Sequence, residues 1–462
     1  MSENLSPAGL VEGDKKPHRR PLLILGGLVL LLLGVMAFLY LRDDAPADDS
    51  DFLIVWGDKA LTNPLVEFMK ELGPAHPEQL PSEMWMMEHT ISEELLARNT
   101  SLLPAFHKLM ATDASSWSLI DINASAFHVW SFPSLFCFGS RVLPEIIEDH
   151  VRRGERQEAV TLALEMHQFA HRLLKAEAGL HVYKETLDLQ ENASELLLKA
   201  LEGTTSPDLL KQAQEQLSGR DPTPQDLILA LKDQYAAEKA YLLDAVNDTG
   251  SFEVVFRDED PSFIKRWYRP QRTINQHLEF CRQMVAGLDQ GWAGAQAKAD
   301  AWAGTIEKRT GGKWARYANP NFAGDGILLH VAPRRIACDT AIHITVQRML
   351  MTSLAIRRYE LAHHTSPRTL EELVPAFLSA VPVDAMNHTP LEWDATNHTL
   401  QAASPWPLDS PWNLKLHVLP GELPPLLGGK VTFGKDDARI RFLLGPEAPG
   451  EKSGSADTPS PR

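Results

Sequence analysis

The chain has 462 residues, 45 Lys and Arg against 61 Asp and Glu, a formal charge of −16, 17 His and three Cys. At 44% hydrophobic and 23% charged it is neither fibrous nor disordered, and its acidic balance excludes nucleic acid as the main partner, because phosphate binding needs a basic patch. Three cysteines exclude a disulfide-dense scaffold and a cysteine-rich zinc module.

The first feature in chain order is PLLILGGLVLLLLGVMAFLYL, residues 21–41, which carries no charge. As a helix it would extend roughly 31 Å, matching a bilayer core of about 30 Å. Lys15, Lys16, Arg19 and Arg20 precede it, and Asp43 and Asp44 follow. The positive-inside rule then places residues 1–20 in the cytoplasm and everything after residue 41 outside it. On this reading the bilayer is a partner through residues 21–41, and RDDAPADDSD, residues 42–51, is a short polar stalk. The part beyond residue 42 holds 40 basic against 58 acidic residues, a charge of −18.

Residues 52–360 read as a mainly helical exported domain. Pro64, Pro74, Pro77 and Pro81 separate short helices, and Ser92–Lys108 is a helical run that Pro104 interrupts. Pro144–Arg153 and Gln157–Lys175 have helical periodicity with Gly154 as their joint, and a further helix runs from Gly179 toward Leu201. In SPDLLKQAQEQLSG, Ser206 is the N-cap, Pro207 the first helical residue and Gly219 the stop. Thr223-Pro224-Gln225-Asp226 repeats that entry. Ser251–Arg257 is read as a strand or turn and Ile274–Ala303 as one helix. A loop then spans about 310–326, and a long helix over Ile327–Glu360 breaks near Pro333. Beyond Pro375, Leu391–Trp393, Leu414–Val418, Lys430–Phe433 and Ala438–Leu443 are candidate strands within a small β-containing module, residues 361–444. Residues 445–462 are expected to be a disordered tail.

His167 and His171 share a helix face, with Glu165 and His181 near in sequence, but Gln168, Phe169 and Ala170 between them leave no HExxH signature. They are expected as a partly exposed surface pair. His363 and His364 suit a helix C-terminus, and His388 and His398 lie in two Asn-His-Thr turns. Cys137 sits in an apolar, aromatic setting; Cys281 and Cys338 are the other thiols, and spacing does not say which pair, if any, bridges. Gly311-Gly312-Lys313 and Gly324-Asp325-Gly326 are isolated turns outside any phosphate-binding context. Trp292, Trp302 and Trp314 fit core packing at helical spacing. No catalytic, cofactor-binding or metal-ligating residue is assigned, and no cofactor is expected.

One stretch is more specific. In LAIRRYELAHHTSPRTLEELVPAFLSAVPVDAMNHTPLEWD, residues 354–394, an Arg-Tyr helix end leads through His363 and Pro367 to Leu370, Glu372, Leu373, Val374 and Pro375, then to Pro382, Asp384, Pro390, Leu391 and Trp393. This resembles the segment after the long helix of the major pseudopilins of type II secretion. His364 stands where that family has a turn glycine, and Ala385 where it has a proline. The resemblance implies a packing module in which Thr369 caps a short helix whose apolar residues fold back onto the long one.

Together these readings give a mainly α fold: an N-terminal transmembrane helix, a multi-helix exported domain and a small β-containing C-terminal module. The functional expectation is a single-pass bacterial inner-membrane protein with its N-terminus cytoplasmic and its domain periplasmic. It would be a non-enzymatic scaffold contacting an envelope protein. The alternatives are a periplasmic hydrolase of peptide or glycan, or a pseudopilin-like secretion component.

Overall fold

The computed structural model describes residues 19–53, 63–72, 102–117, 135–136, 138–176, 179–202, 204–244, 266–312, 314–396, 398–402, 431–433 and 440–443. Cys137, Ser251–Arg257, Leu414–Val418 and the tail after residue 444 lie outside them.

Thirteen α-helices occur among the described residues: α1 (Arg19–Leu41), α2 (Pro64–Leu72), α3 (Leu103–Met110), α4 (Leu143–Arg152), α5 (Arg156–Leu174), α6 (Leu180–Leu201), α7 (Pro207–Leu217), α8 (Pro224–Asp244), α9 (Pro270–Leu288), α10 (Gly291–Thr310), α11 (Ala315–Ala318), α12 (Phe322–Val331) and α13 (Ile336–His363). A four-stranded antiparallel sheet follows: β1 (Leu391–Asp394), β2 (Thr399–Ala402), β3 (Val431–Phe433) and β4 (Ile440–Leu443), in the order β1-β2-β4-β3.

Local chemistry sets most boundaries. Ser206 Oγ accepts from Leu209 N at 3.3 Å, Pro207 follows at the first helical position, and Gly219 turns out of α7 at φ +73°. Thr223 and Asp226 form a reciprocal capping box: Thr223 N donates to Asp226 Oδ2 at 2.8 Å, and Asp226 N to Thr223 Oγ1 at 3.3 Å. Gly154, at φ +75°, joins α4 to α5. Pro104 lies in the first turn of α3, where its missing N–H costs nothing, so it opens that helix rather than interrupting it.

α13 is the axis of the body. From Ile336 to Ile356 it is largely buried, packed against α6, α7, α10 and β2. α5 and α6 form one antiparallel hairpin, and α9 and α10 another. Phe68, Phe106, Phe138, Phe169 and Trp117 stack in edge and tilted contacts that fasten α2 and α3 to α5.

The sequence pattern joins α9 and α10 into one helix, but Gly291 breaks them at φ +80° and turns the chain back. The hairpin closes tightly. A Cβ on Gly287 would lie 2.6 Å from Ala295 Cα, and one on Gly294 2.5 Å from the Gly287 carbonyl oxygen. The Gly-Asp-Gly at 324–326 is the first part of α12 rather than an isolated turn.

The expected membrane span is overturned. α1 is a helix of 23 residues, yet among the described residues no helix is long and apolar enough to cross a membrane. The bilayer as partner through residues 21–41, the single-pass inner-membrane localisation and the cytoplasmic and periplasmic sides fall with it. So do the envelope functions built on that topology.

Replacing Gly287 by alanine should destabilise the fold by about 1–3 kcal/mol, because backbone rather than a flexible side chain must give way. Gly304→Ala, on the same helix pair with nothing within 4 Å of the added carbon, should be neutral or stabilising by roughly 0.5–1 kcal/mol. Denaturant melts of the two variants measure the difference directly.

Candidate functional site: an acidic strap over a buried acid–imidazole pair

The segment that leaves α1 lies along α9. The residue before α9 is Arg269, whose guanidinium can only donate, so it cannot cap the helix with its side chain. Asp43 does so from across the chain: its carboxylate oxygens accept from Gln271 N and Arg272 N, each at 3.0 Å. One turn on, Asn275 reads the strap backbone in both senses. Its Nδ2 donates to the Ala45 carbonyl at 2.8 Å and its Oδ1 accepts from Ala47 N at 3.1 Å.

Arg272 pairs with Asp44, at 3.0 Å, and Arg282 pairs with Asp51 while donating to the Asp48 carbonyl at 2.7 Å. Asp49 accepts from Tyr235 Oη at 2.8 Å and pairs with Lys239, both on α8. Burial alone would raise the Asp49 carboxyl, but the hydrogen bonds from Lys239 and Tyr235 hold it below its ordinary value. The strap ends in Phe52, 3% exposed, whose ring meets Tyr235 edge-on at 5.8 Å beneath the Lys232 ammonium.

Under Tyr235 lies a pair of opposite acid–base character. His277 on α9 stands edge-on to Tyr235 at 5.9 Å, and its Nδ1 is 2.7 Å from Glu238 Oε2 on α8. The contact is close without hydrogen-bond alignment, and His277 Nε2 has no partner among the described residues. Gln234 donates to the other carboxylate oxygen. Burial pushes Glu238 up to about 8 and His277 down to about 4. Between those limits both are neutral. Cys281, one turn beyond His277, is a free buried thiol that burial and the neighbouring Glu238 push well above its usual range.

A second polar layer lies between α5, α6 and α13. Gln347 Nε2 donates to Ser194 Oγ at 2.7 Å, and Ser194 Oγ donates to the Gln190 carbonyl at 2.8 Å. The amide oxygen of Gln347 therefore accepts from His167 Nε2–H, at 3.2 Å, which leaves His167 Nδ1 as a bare lone pair. His343, one turn before Gln347, and the side-chain amide of Gln190, one turn before Ser194, also carry buried atoms without partners. Burial holds His167 well below its ordinary value and takes His343 and His171 to about 4.

The expectation of a partly exposed His167/His171 pair is corrected for His167 alone, His171 being half-buried. His167 is 1% exposed and part of the core, because the third helix covering it, α13, is 180 residues away in sequence. His388 lies against Gly291 and His398 against Trp393, so the two Asn-His-Thr turns have different neighbours. His363 stacks on Tyr359 at 4.3 Å at the end of α13. Trp292 and Trp302 are core residues, whereas Trp314 is 76% exposed beside Tyr317. Cys281 and Cys338 are both free.

Among the described residues no group of three or more His, Cys, Asp or Glu is placed to hold a metal. No protein-family model, curated protein or solved structure matches the chain.

A group whose folded value lies above its unfolded one loses its stabilising contribution as pH rises through the folded value. Glu238 does this between about 4.5 and 8. His277, shifted the other way, loses its contribution as pH falls from about 6.5 through 4. Glu238→Gln should abolish the alkaline loss, on the order of a few kcal/mol, and keep the acid one. Melting temperatures of both proteins across pH 5–9 test this; parallel curves would refute the assignment.

Proposed function

We propose that the chain is a helical docking protein whose attachment element is α1 and whose body is held to that element by the strap. The observation that carries the reading is the exposure of α1. Leu25, Leu30, Leu32 and Phe38 are each 60% or more exposed, and the residues between them are exposed on every face of the helix. Isolated apolar side chains on a surface need no partner, but a continuous patch of several hundred Å² marks an interaction site. A helix apolar all round calls for a partner that surrounds it.

The root of the helix is fixed at two places. Tyr40 Oη donates to the Ala318 carbonyl at the end of α11, and Asp43 caps α9. Buried polar groups in the body support a packing role: the His167, Gln347 and Ser194 bonds tie three helices together rather than facing a cleft.

Residues 354–394 are read as a packing module. In support, His364 ends α13 at φ +55°, at the place where the resembled family has glycine. Asp384, fully buried, accepts from Met386 N and Asn387 N and sets the turn into β1. Thr369 makes no side-chain cap; Glu372 instead accepts from Arg368 N and Tyr359 Oη, each at 3.1 Å.

The test uses the full chain. In plain aqueous buffer the wild type should associate into large species, whereas Leu28→Glu with Leu32→Glu should sediment as a monomer with unchanged helix content and melting temperature. A wild-type chain that sediments as a stable free monomer under those conditions would overturn the proposal.

A further inference from the structure

The strap is bound in the way a peptide ligand is bound. Its partners on α8 and α9 lie 186 to 234 residues away in sequence. They form an ordered row. The bare N-terminus of α9 takes the Asp43 carboxylate. Asn275 takes the backbone of Ala45 and Ala47 and is itself oriented by Gln271 Nε2, at 2.9 Å. Lys239 and Tyr235 take Asp49, Arg282 takes Asp51, and the side of Tyr235 seats Phe52.

This row reads three chemical properties together: carboxylates at set intervals, an open backbone at Ala45 and Ala47, and an aromatic ring that follows a turn in which Phe52 N donates to the Asp49 carbonyl at 2.8 Å. No contact in it depends on the strap belonging to the same molecule. The cis segment keeps the face closed through its high local concentration and the seating of Phe52, since partly exposed ion pairs of this kind each add little.

We propose that the α8–α9 face is a receptor for an acidic peptide whose last residues turn to present an aromatic ring, a place that residues 43–52 occupy in cis. Such a segment in another protein would take the same register, displace the strap and release the root of α1. The inference stands on the strap contacts and is independent of what covers α1.

The experiment measures fluorescence anisotropy of a labelled peptide spanning residues 42–53, added to the full chain. Wild type should bind it weakly, because the cis strap competes. The full chain carrying Asp43→Asn, Asp49→Asn and Phe52→Ser should bind at least about tenfold more tightly. The peptide with the same two Asp→Asn changes should lose about that factor, and adding Arg282→Glu to the chain should lose it as well. Absence of binding by the weakened chain, at unchanged helix content, would overturn the proposal, as would equal binding of the neutral peptide. Should the triple substitution unfold the chain, Phe52→Ser alone, which leaves the Asp43 cap in place, decides by the same comparison.

Discussion

The body is organised by the burial of α13. A helix covered on nearly all sides satisfies its own backbone, and its larger polar side chains are held by partners on other elements. Thr340 reaches Tyr183 Oη at 3.3 Å, Gln347 joins His167 to Ser194, and Arg348 pairs with Asp221 while holding the Val383 carbonyl. Near its end Arg358 grips Gln214, whose amide in turn donates to the Phe377 carbonyl at 2.6 Å. These bonds fix where α5, α6, α7 and the C-terminal module sit along the axis. Hydrophobic contact alone, being non-directional, would not set that register.

The two buried titratable clusters follow one rule. In a medium of low dielectric an ionised group is stable only if it is closely compensated, and otherwise it neutralises. Glu238 and His277 do so as a pair, and His167, His171 and His343 do so as imidazoles. Nearer the solvent boundary ion pairs replace them: on the strap Lys239, Arg272 and Arg282 pair with Asp49, Asp44 and Asp51. Charge thus organises the attachment of the strap, while the layer of His167, Gln347 and Ser194 is held by neutral bonds.

Much of the helical order was legible because its signals are local. Ser206-Pro207, Thr223-Pro224 with Asp226, and Gly154 each specify a boundary from within a few residues. What failed depended on distance. Nothing near His167 announces that α13 will bury it, and nothing near Arg269 announces that its helix is capped by an aspartate 228 residues upstream. The α9–α10 hairpin left a readable trace in Gly287, Gly291 and Gly294, which periodicity alone read as one helix. β2 was missed, its four residues lying between a turn and a proline-rich stretch. The apolar run at 21–41 was legible as a helix, but its apolar pattern did not establish a membrane span. Of the candidate site, the aspartates were visible as a polar stretch; that they are bound one by one was not.

Because the strap is read position by position, its length is a structural quantity in its own right. One residue inserted between Asp43 and Asp49 would displace one end by roughly 3.3 Å, more than a hydrogen bond tolerates. Pro46, exposed between the backbone contacts of Ala45 and Ala47, is by contrast open to exchange so long as the count is kept. The segment thus behaves as a gauge: its spacing, more than its acidity, sets the angle and distance at which α1 leaves the body.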